Sequence, residues 1–357
     1  MAIDLVCVGA CYLDTILRQV SFPKRWKKHG LAKMAADEDS KLRASNLQVR
    51  RGGNCPNTLE VLQQLLRQEQ GARLGGRVIP HLVTCLPSRN APATVRIIES
   101  FGVDTSIDFS QCIFRDENEE PASSYIIRSS ATGSRTLVNY NNLAEMSFDE
   151  FVAAAESLGS EDAWFHFEVR KPIDQPFSMK GFSKAQRSKA CTGSNPGDDV
   201  AVHPMAEAVK AQDEMAEADV VFFSRSWAES KLYTSAEQCL HAQSAKARRG
   251  SRLFCTWGSQ GAACSSPDGA TVSCLATQPG QMIRVIDTVG AGDTFIAGIL
   301  FGFLHHDYDW DSMAKLSFAV QLATCKVQQE GFNDLGFKAP RRLAVASSST
   351  SRLEVDK

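Results

Sequence analysis

The sequence predicts an α/β fold: a doubly wound, mainly parallel sheet with helices on both faces. Three observations point that way. Short apolar runs recur along the chain, as in "IDLVCV", "HLVTCLP", "AWFHFEV", "ADVVFFS" and "RLFCTWG", and a strand that is apolar on both sides is one buried on both faces. Segments of helical periodicity alternate with most of these runs, the pattern of a parallel sheet. At 357 residues with 43% hydrophobic content, the chain is long enough for one large domain with an appendage, or for two domains.

The elements follow in order. "IDLVCVGACYLD" reads as a buried strand entering a glycine turn. Ser21 to Lys41 is polar, with "KRWKKHG" and "AADEDSK", and reads as a solvated excursion. "VRRGGNCPNTLEVLQQLLRQ" is a turn and then a helix with Leu59, Leu62, Leu65 and Leu66 on one stripe. "HLVTCLP" is a strand, and "TVRIIESFGVD" a helix closed by Gly102. "SSYIIRSSATGSRTLVNY" reads as two strands joined by a hairpin, and "GAACSSPDGATVSCLA" as another hairpin. Lys171 to Glu214 holds few large apolar residues and reads as a long surface insertion or a poorly ordered segment, with "VAVH" its one strand candidate. "ASSSTSRLEVDK" reads as a C-terminal tail.

Composition excludes several function classes. A net charge of −2 offers no basic field for nucleic acid. Eleven cysteines without a C-x-x-C pair fit thiols in a reducing compartment better than a disulfide framework or a zinc site. The N-terminus lacks the features of a signal peptide, and the run Phe295 to Leu304 is far short of the roughly 20 apolar residues of a membrane span. The expected address is cytoplasmic, with no membrane partner.

The chemistry concentrates in "RVIDTVGAGDTFIAGILFGFL", residues 284–304. A strand ending at Asp287-Thr288, a turn of small residues and an apolar helix together make an anion site. The first turn of a helix has unsatisfied N–H groups and the positive end of the macrodipole. Glycines at 290 and 292 let the backbone curl and a ligand approach. Asp293 then has two available roles: a helix cap worth about 1 kcal/mol, or a general base worth about 10²–10⁴ in rate. Spacing alone leaves both open.

"DTVGAGDTFIAGIL" closely resembles the C-terminal signature of the PfkB, or ribokinase-like, sugar and nucleoside kinases. "RGGNCPNTLEVLQQL" resembles their other signature. The resemblance implies the ribokinase-like version of the doubly wound sheet with a small β-sheet lid, and ATP-dependent phosphorylation of a sugar hydroxymethyl group. It makes Asp293 the catalytic base and Gly290, Ala291 and Gly292 the anion hole for the γ-phosphate. Within the family the chain is most similar to the ketohexokinase branch, from Ile3 to about Asp334, which implies a ketohexose such as fructose accepting at its C1 hydroxyl. That similarity puts Asp14, Gly53, Asn54 and Asn57 at the sugar, with Asp39 of "EDSKLR" reaching a neighbouring subunit's site. Arg135 of "GSRTLV" falls near the transferring phosphates. Trp257, Gly258 and Gly261 of "CTWGSQGA", together with Thr288 and Val327, fall at the nucleotide.

The implied cofactors are ATP and Mg²⁺, with K⁺ a further candidate, and the implied assembly is a homodimer through the lid. The kinase domain is expected over 1–336, its lid over about 15–51 and 121–140, with the insertion at 171–214 and a tail at 337–357. Against ketohexokinases the chain has an extra basic stretch between Lys24 and Glu38, and Ser134 in place of a sugar-binding asparagine. The N-x-x-E magnesium motif of many relatives is absent, with Glu229 the nearest carboxylate. The pair His305 and His306 reads as a surface helix cap, and His166 as a satisfied core histidine. Alternatives are a kinase of another sugar or a nucleoside, and a non-catalytic sugar- or nucleotide-binding relative.

Overall fold

The computed structural model of the chain describes residues 2–19, 43–69, 77–131, 135–158, 163–169, 189–194, 218–266 and 269–339. Its frame is a sheet of eight described strands. In spatial order these are β14 (Thr271–Cys274), β13 (Ala262–Ser265), β12 (Arg252–Thr256), β11 (Val220–Phe223), β10 (Lys189–Ser194), β9 (Ala163–Val169), β1 (Ile3–Val8) and β4 (Val78–Val83). From β4 to β12 every pairing is parallel, and β13 and β14 add an antiparallel edge.

Alternation along each strand explains why the sheet is wound on both faces. Leu5 and Cys7 of β1, and Val220 and Phe222 of β11, enter one core. That core also holds side chains of α1 (Asn54–Glu69), α6 (Ala291–His305) and α7 (Ser312–Val327). Their neighbours Val6 and Val8 face Phe151 of α3 (Phe148–Ser157). Val221 and Phe223 face Ala228 of α4 (Arg225–Ser230) and Cys239 and Leu240 of α5 (Ala236–Ser244). Consecutive side chains point to opposite faces of a strand, so an all-apolar strand needs a helix layer on each side.

Four further strands form the lid, in the order β3 (Asn46–Gly52), β2 (Tyr12–Gln19), β7 (Ser123–Ser129) and β8 (Arg135–Tyr140). The expected hairpin is the antiparallel pair β7 and β8. "HLVTCLP" divides: β4 ends at Val83, and β5 (Cys85–Pro87) pairs instead with β6 (Ile113–Arg115). Helix α2 (Pro92–Glu99) leads into Gly102, whose φ of 95° is the expected left-handed terminator.

The reading of 171–214 as a surface insertion is corrected at residues 189–194. "KACTGS" is β10, a strand inside the main sheet, registered on β9 and β11 through pairs such as Ala190↔Phe165 and Cys191↔Val220. Its small and polar residues form neither an apolar run nor an alternation, so periodicity had nothing to detect. Backbone N–H and C=O groups make the ladder whatever the side chains are. "VAVH" lies outside the described residues. At the other end, α8 (Leu335–Lys338) carries the packed chain past the expected boundary at 336, with Leu335 fully buried. No described helix is long and apolar enough to cross a membrane.

Candidate active site

Helix α6 opens on a left-handed glycine. Gly290 caps it with φ 77°, and a Cβ there would run into the Phe332 ring, so both conformation and packing demand glycine. Gly292 is different. Its φ is not left-handed and no atom lies within 4 Å of the place a Cβ would take. The missing side chain leaves the first-turn N–H groups of a 15-residue helix open to approach.

Asp293, one residue further, is only 3% exposed. Two consecutive residues of α1 hold it. Asn57 Nδ2 donates to its Oδ2 at 2.8 Å, and Thr58 Oγ1 donates to its backbone carbonyl at 3.3 Å. The Asn57 carbonyl in turn accepts from Arg51 Nη1 at 3.4 Å. Arg51 is locked by an ion pair with Glu60, a 3.1 Å bond to Ser100 and stacking 4.0 Å from the Phe101 ring. A carboxylate this buried needs partners to stay ionised, and the amide supplies a donor in a fixed direction.

In front of Asp293 lies a cleft at the C-terminal ends of β9, β11 and β12, on the side of the sheet next to β1. Here the strand order reverses: β4 follows on one side of β1, and β9 on the other. Crevices at such switch points are where doubly wound sheets bind ligands. Asn54 Nδ2 donates to Glu168 Oε1 at 2.6 Å across the cleft, while Phe222, Phe295 and Ile296 supply an apolar wall. Gly9 admits the Glu168 carboxylate, since a Cβ there would sit 2.8 Å from Oε2. A hydroxyl-rich ligand suits this lining, because amides and carboxylates both serve groups that donate and accept.

The lid closes over the turn with its charged face inward. Register places Arg18 opposite Arg128 and Arg128 opposite Arg135, one row across three strands. Asp14 and Arg50 form a pair on the same face. The lid reaches the body through ions: Arg18 pairs with Glu330, while Arg50 and Arg128 approach Asp287 at 3.7 and 3.8 Å. Beneath Asp287, fully buried Lys326 donates to its Oδ2 and to its carbonyl, both at 3.1 Å. Burial alone would raise the Asp287 carboxyl, but Lys326, the Val289 N–H and Arg50 outweigh it and hold the group below its ordinary range. One buried carboxylate thus faces three cations, leaving positive charge beside the turn.

The structure brings Asn54, Gly292 and Asp293 together at the cleft, with Gly290 and Ala291 at the start of the same helix. Asp14 lies at the lid's root, its carboxylate 2.5 Å from where a Gly52 Cβ would be, next to Gly53 with φ 108°. Asn57, expected at the sugar, is buried, with its amide donating to Asp293 and accepting from Arg51. Trp257 belongs to the turn expected at the nucleotide. Its indole, 5% exposed, packs with Val221, Phe223 and Leu253, where a large apolar ring gains most from burial, and only its backbone shapes the turn by donating to Gly261 at 2.7 Å. Gly258 and Gly261 have φ of 60° and 95°, and a Cβ on Gly261 would strike the Cys274 carbonyl. Thr288 is exposed beside the turn, and the Val327 carbonyl accepts from the N–H groups of Ile286 and Asp287. Arg135 is exposed on the lid; Asp39 and Ser134 lie outside the described residues.

Glu229 bonds to Arg225 at 2.8 Å. His306 is the C-cap of α6, as expected, but it is not at the surface: it is 1% exposed and stacks 4.0 Å from the Trp310 ring, which folds back over the end of α6. His166 is buried, but its Nδ1 finds no hydrogen-bond partner among the described residues, against the expectation of a satisfied core histidine. Sequence reading missed Arg51, Thr58, Glu168, Asp287 and Lys326. The one available signal was "VRRGGN": alternation sends adjacent arginines to opposite faces, Arg50 to the site and Arg51 to the interior.

Fold and cleft together define a doubly wound α/β protein with an anion turn beside a buried carboxylate. The model of the pfkB family of carbohydrate kinases matches residues 2–336, and the chain belongs to that family. It is a carbohydrate kinase, a phosphotransferase with an alcohol group as acceptor. The chain is 27% identical to mouse (Mus musculus) ketohexokinase over 338 residues, 93% of this chain and 98% of the relative. Its fold is similar to that of ribokinase from Thermotoga maritima, with TM-score 0.67, 14% identity and coverage of 95% and 97% of the two chains. It is also similar to Arabidopsis thaliana ribokinase complexed with ribose and ATP, with TM-score 0.65, 17% identity and coverage of 93% and 94%.

Proposed function

We propose that this chain uses ATP to phosphorylate a sugar hydroxymethyl group, a ketohexose such as fructose accepting at its C1 hydroxyl. The observation that carries the reading is Asp293, buried and aimed by Asn57, one residue beyond the open turn at Gly292. The sugar lies between Asn54, Gly53, Asp14 and Glu168, and the γ-phosphate against the N–H groups of residues 290–292. Asp293 accepts the proton as the hydroxyl oxygen attacks phosphorus in line, so the nucleophile gains charge as the bond forms. Anion-turn N–H groups and the inner arginines, Arg135 among them, offset the charge developing on the phosphoryl oxygens. The lid excludes water, which would otherwise compete as nucleophile.

Gly258, Gly261, Thr288 and Val327 border the adenine end of the nucleotide path. The cleft carboxylate of Glu168 is a hard oxygen donor of the kind Mg²⁺ takes and would be the residue to hold it, and the ion would supply charge neutralisation at the phosphates. A homodimer through the lid is supported by its outer face, where Leu47, Tyr125, Val138 and Tyr140 are 48–63% exposed. Apolar side chains on one face of a four-stranded sheet are stabilised by a second copy. The address remains the cytoplasm expected from the sequence.

A coupled ADP-release assay across ketoses, aldoses and nucleosides tests the proposal. A ketohexose should give the highest kcat/KM, with phosphate on C1 by NMR of the product. A better aldopentose or nucleoside would reassign the substrate. Ligand-induced thermal stabilisation with no ADP formed from any acceptor would identify a binding protein instead.

A further inference from the structure

Lys326 has a place that the kinase reading does not by itself require. Its ammonium is fully buried at the end of α7, beneath the irregular segment that enters the anion turn, where the sequence predicted a strand ending at Asp287. Burial pulls a lysine toward its neutral form, and the carboxylate of Asp287 opposes that. Taking a charge out of water is costly, so a lysine held here has a role worth that cost.

Its contacts converge on the turn. Lys326 Nζ donates to Asp287 Oδ2 and to the Asp287 carbonyl. Asp287 Oδ1 accepts the N–H of Val289, the residue just before Gly290, at 3.2 Å. The adjacent Val327 carbonyl takes the N–H groups of Ile286 and Asp287 at 2.7 and 3.2 Å. Lys326 also lies 5.3 Å from the centre of the Phe332 ring, the same ring that closes over Gly290. Side chain and backbone of two consecutive residues therefore brace both the entry and the first glycine of the turn.

A carboxylate oxygen and a carbonyl oxygen facing one buried point are the donors that a monovalent cation such as K⁺ would take. Here the ammonium already holds them, so the residues do not fit an added ion. We propose that Lys326 is a built-in cation that positions the anion turn, making this kinase independent of monovalent metal ions. The inference rests on the kinase reading for its activity readout. Lys326 acts through Asp287 and touches no reacting atom, so it is a positioning residue.

The experiment compares the full-length chain with Lys326→Ala in choline, K⁺ and NH₄⁺ chlorides at equal ionic strength. Wild-type turnover should change by less than about twofold among the salts. Lys326→Ala in choline should lose about 10- to 100-fold in kcat, the scale of a misplaced reacting group, with the sugar KM within about twofold of wild type. NH₄⁺ or K⁺, but not choline, should restore at least about threefold of that loss by entering the vacated space. Strong activation of wild type by K⁺ would overturn the proposal, as would a variant with wild-type kcat in choline. The wild-type arm decides even where the variant does not fold. Should no acceptor be turned over by wild type, the kinase reading fails, and melting still decides this inference: NH₄⁺ must raise the Tm of Lys326→Ala and leave wild type unmoved. Equal responses would overturn it.

Discussion

Asn57 and Asp293 are hydrogen-bonded to each other across the α1–α6 contact, amide to carboxylate at 2.8 Å. Arg51 fixes the far end of that amide, so the direction of the Asp293 carboxylate is set from the start of α1. Replacing Asn57 by Asp puts a second carboxylate at that distance, where two like charges cannot both be ionised. The acidic limb of kcat/KM against pH should move up by about one unit or more. An unmoved limb in an active variant would show that Asn57 does not touch the working base.

Asp293→Asn keeps the size and most of the hydrogen-bonding shape of the side chain. It removes the site for the proton, so kcat should fall by about 10²–10⁴. Nucleotide affinity by calorimetry should stay within a few-fold, because the turn's N–H groups are unchanged. Turnover near the wild-type value would remove Asp293 from the chemistry.

The two glycines of the turn should separate stability from function. Gly290→Ala forces a left-handed residue into the Phe332 ring and should cost about 1–3 kcal/mol of unfolding free energy. Gly292→Ala meets nothing within 4 Å and gains helix propensity of up to about 1 kcal/mol. It should melt at or above the wild-type temperature while losing ATP affinity. Denaturant melts and ATP titrations of both variants check the contrast; a Gly292→Ala protein with unchanged ATP affinity would mean the phosphate does not approach there.

Far from the cleft, Arg115 grips Glu150 with two bonds of 2.5 and 3.0 Å. Those bonds, helped by the Ser147 cap of α3, hold the Glu150 carboxyl at about 2 against an ordinary value of 4.5. A folded-state value below the unfolded one stabilises the protein above the unfolded value, and that contribution is lost as pH falls toward the folded one. The pair is partly exposed, so its contribution is modest. The Tm difference between wild type and Glu150→Gln should be present at pH 6 and shrink between pH about 4.5 and 2. A difference independent of pH would assign the effect to the cap alone.

Much of this molecule is legible without coordinates. Strands such as Val220–Phe223 are apolar on both faces, and the glycines around Asp293 mark a turn that only a ligand or a left-handed backbone requires. Strand Lys189–Ser194 was not legible, because its place depends on backbone pairing with two distant strands. The bond between Asn57 and Asp293 was hidden for a related reason. A short amide near a glycine turn suits a sugar, and only the packing of α1 on α6 reveals that it also holds Asp293. Lys326 and Asp287 stand 39 residues apart, and nothing local in either segment announces the other.

The lid strand that carries Arg50 and Arg51 works as a reading frame. One residue's guanidinium faces the carboxylate of Asp287; the next is swallowed by the interior with Glu60. A single-residue insertion or deletion between Asn46 and Gly52 would exchange the two, sending the wrong arginine inward and stripping the site of its own. Length changes in the loops flanking this strand leave the frame intact, so natural variation in this lid should accumulate outside residues 46–52.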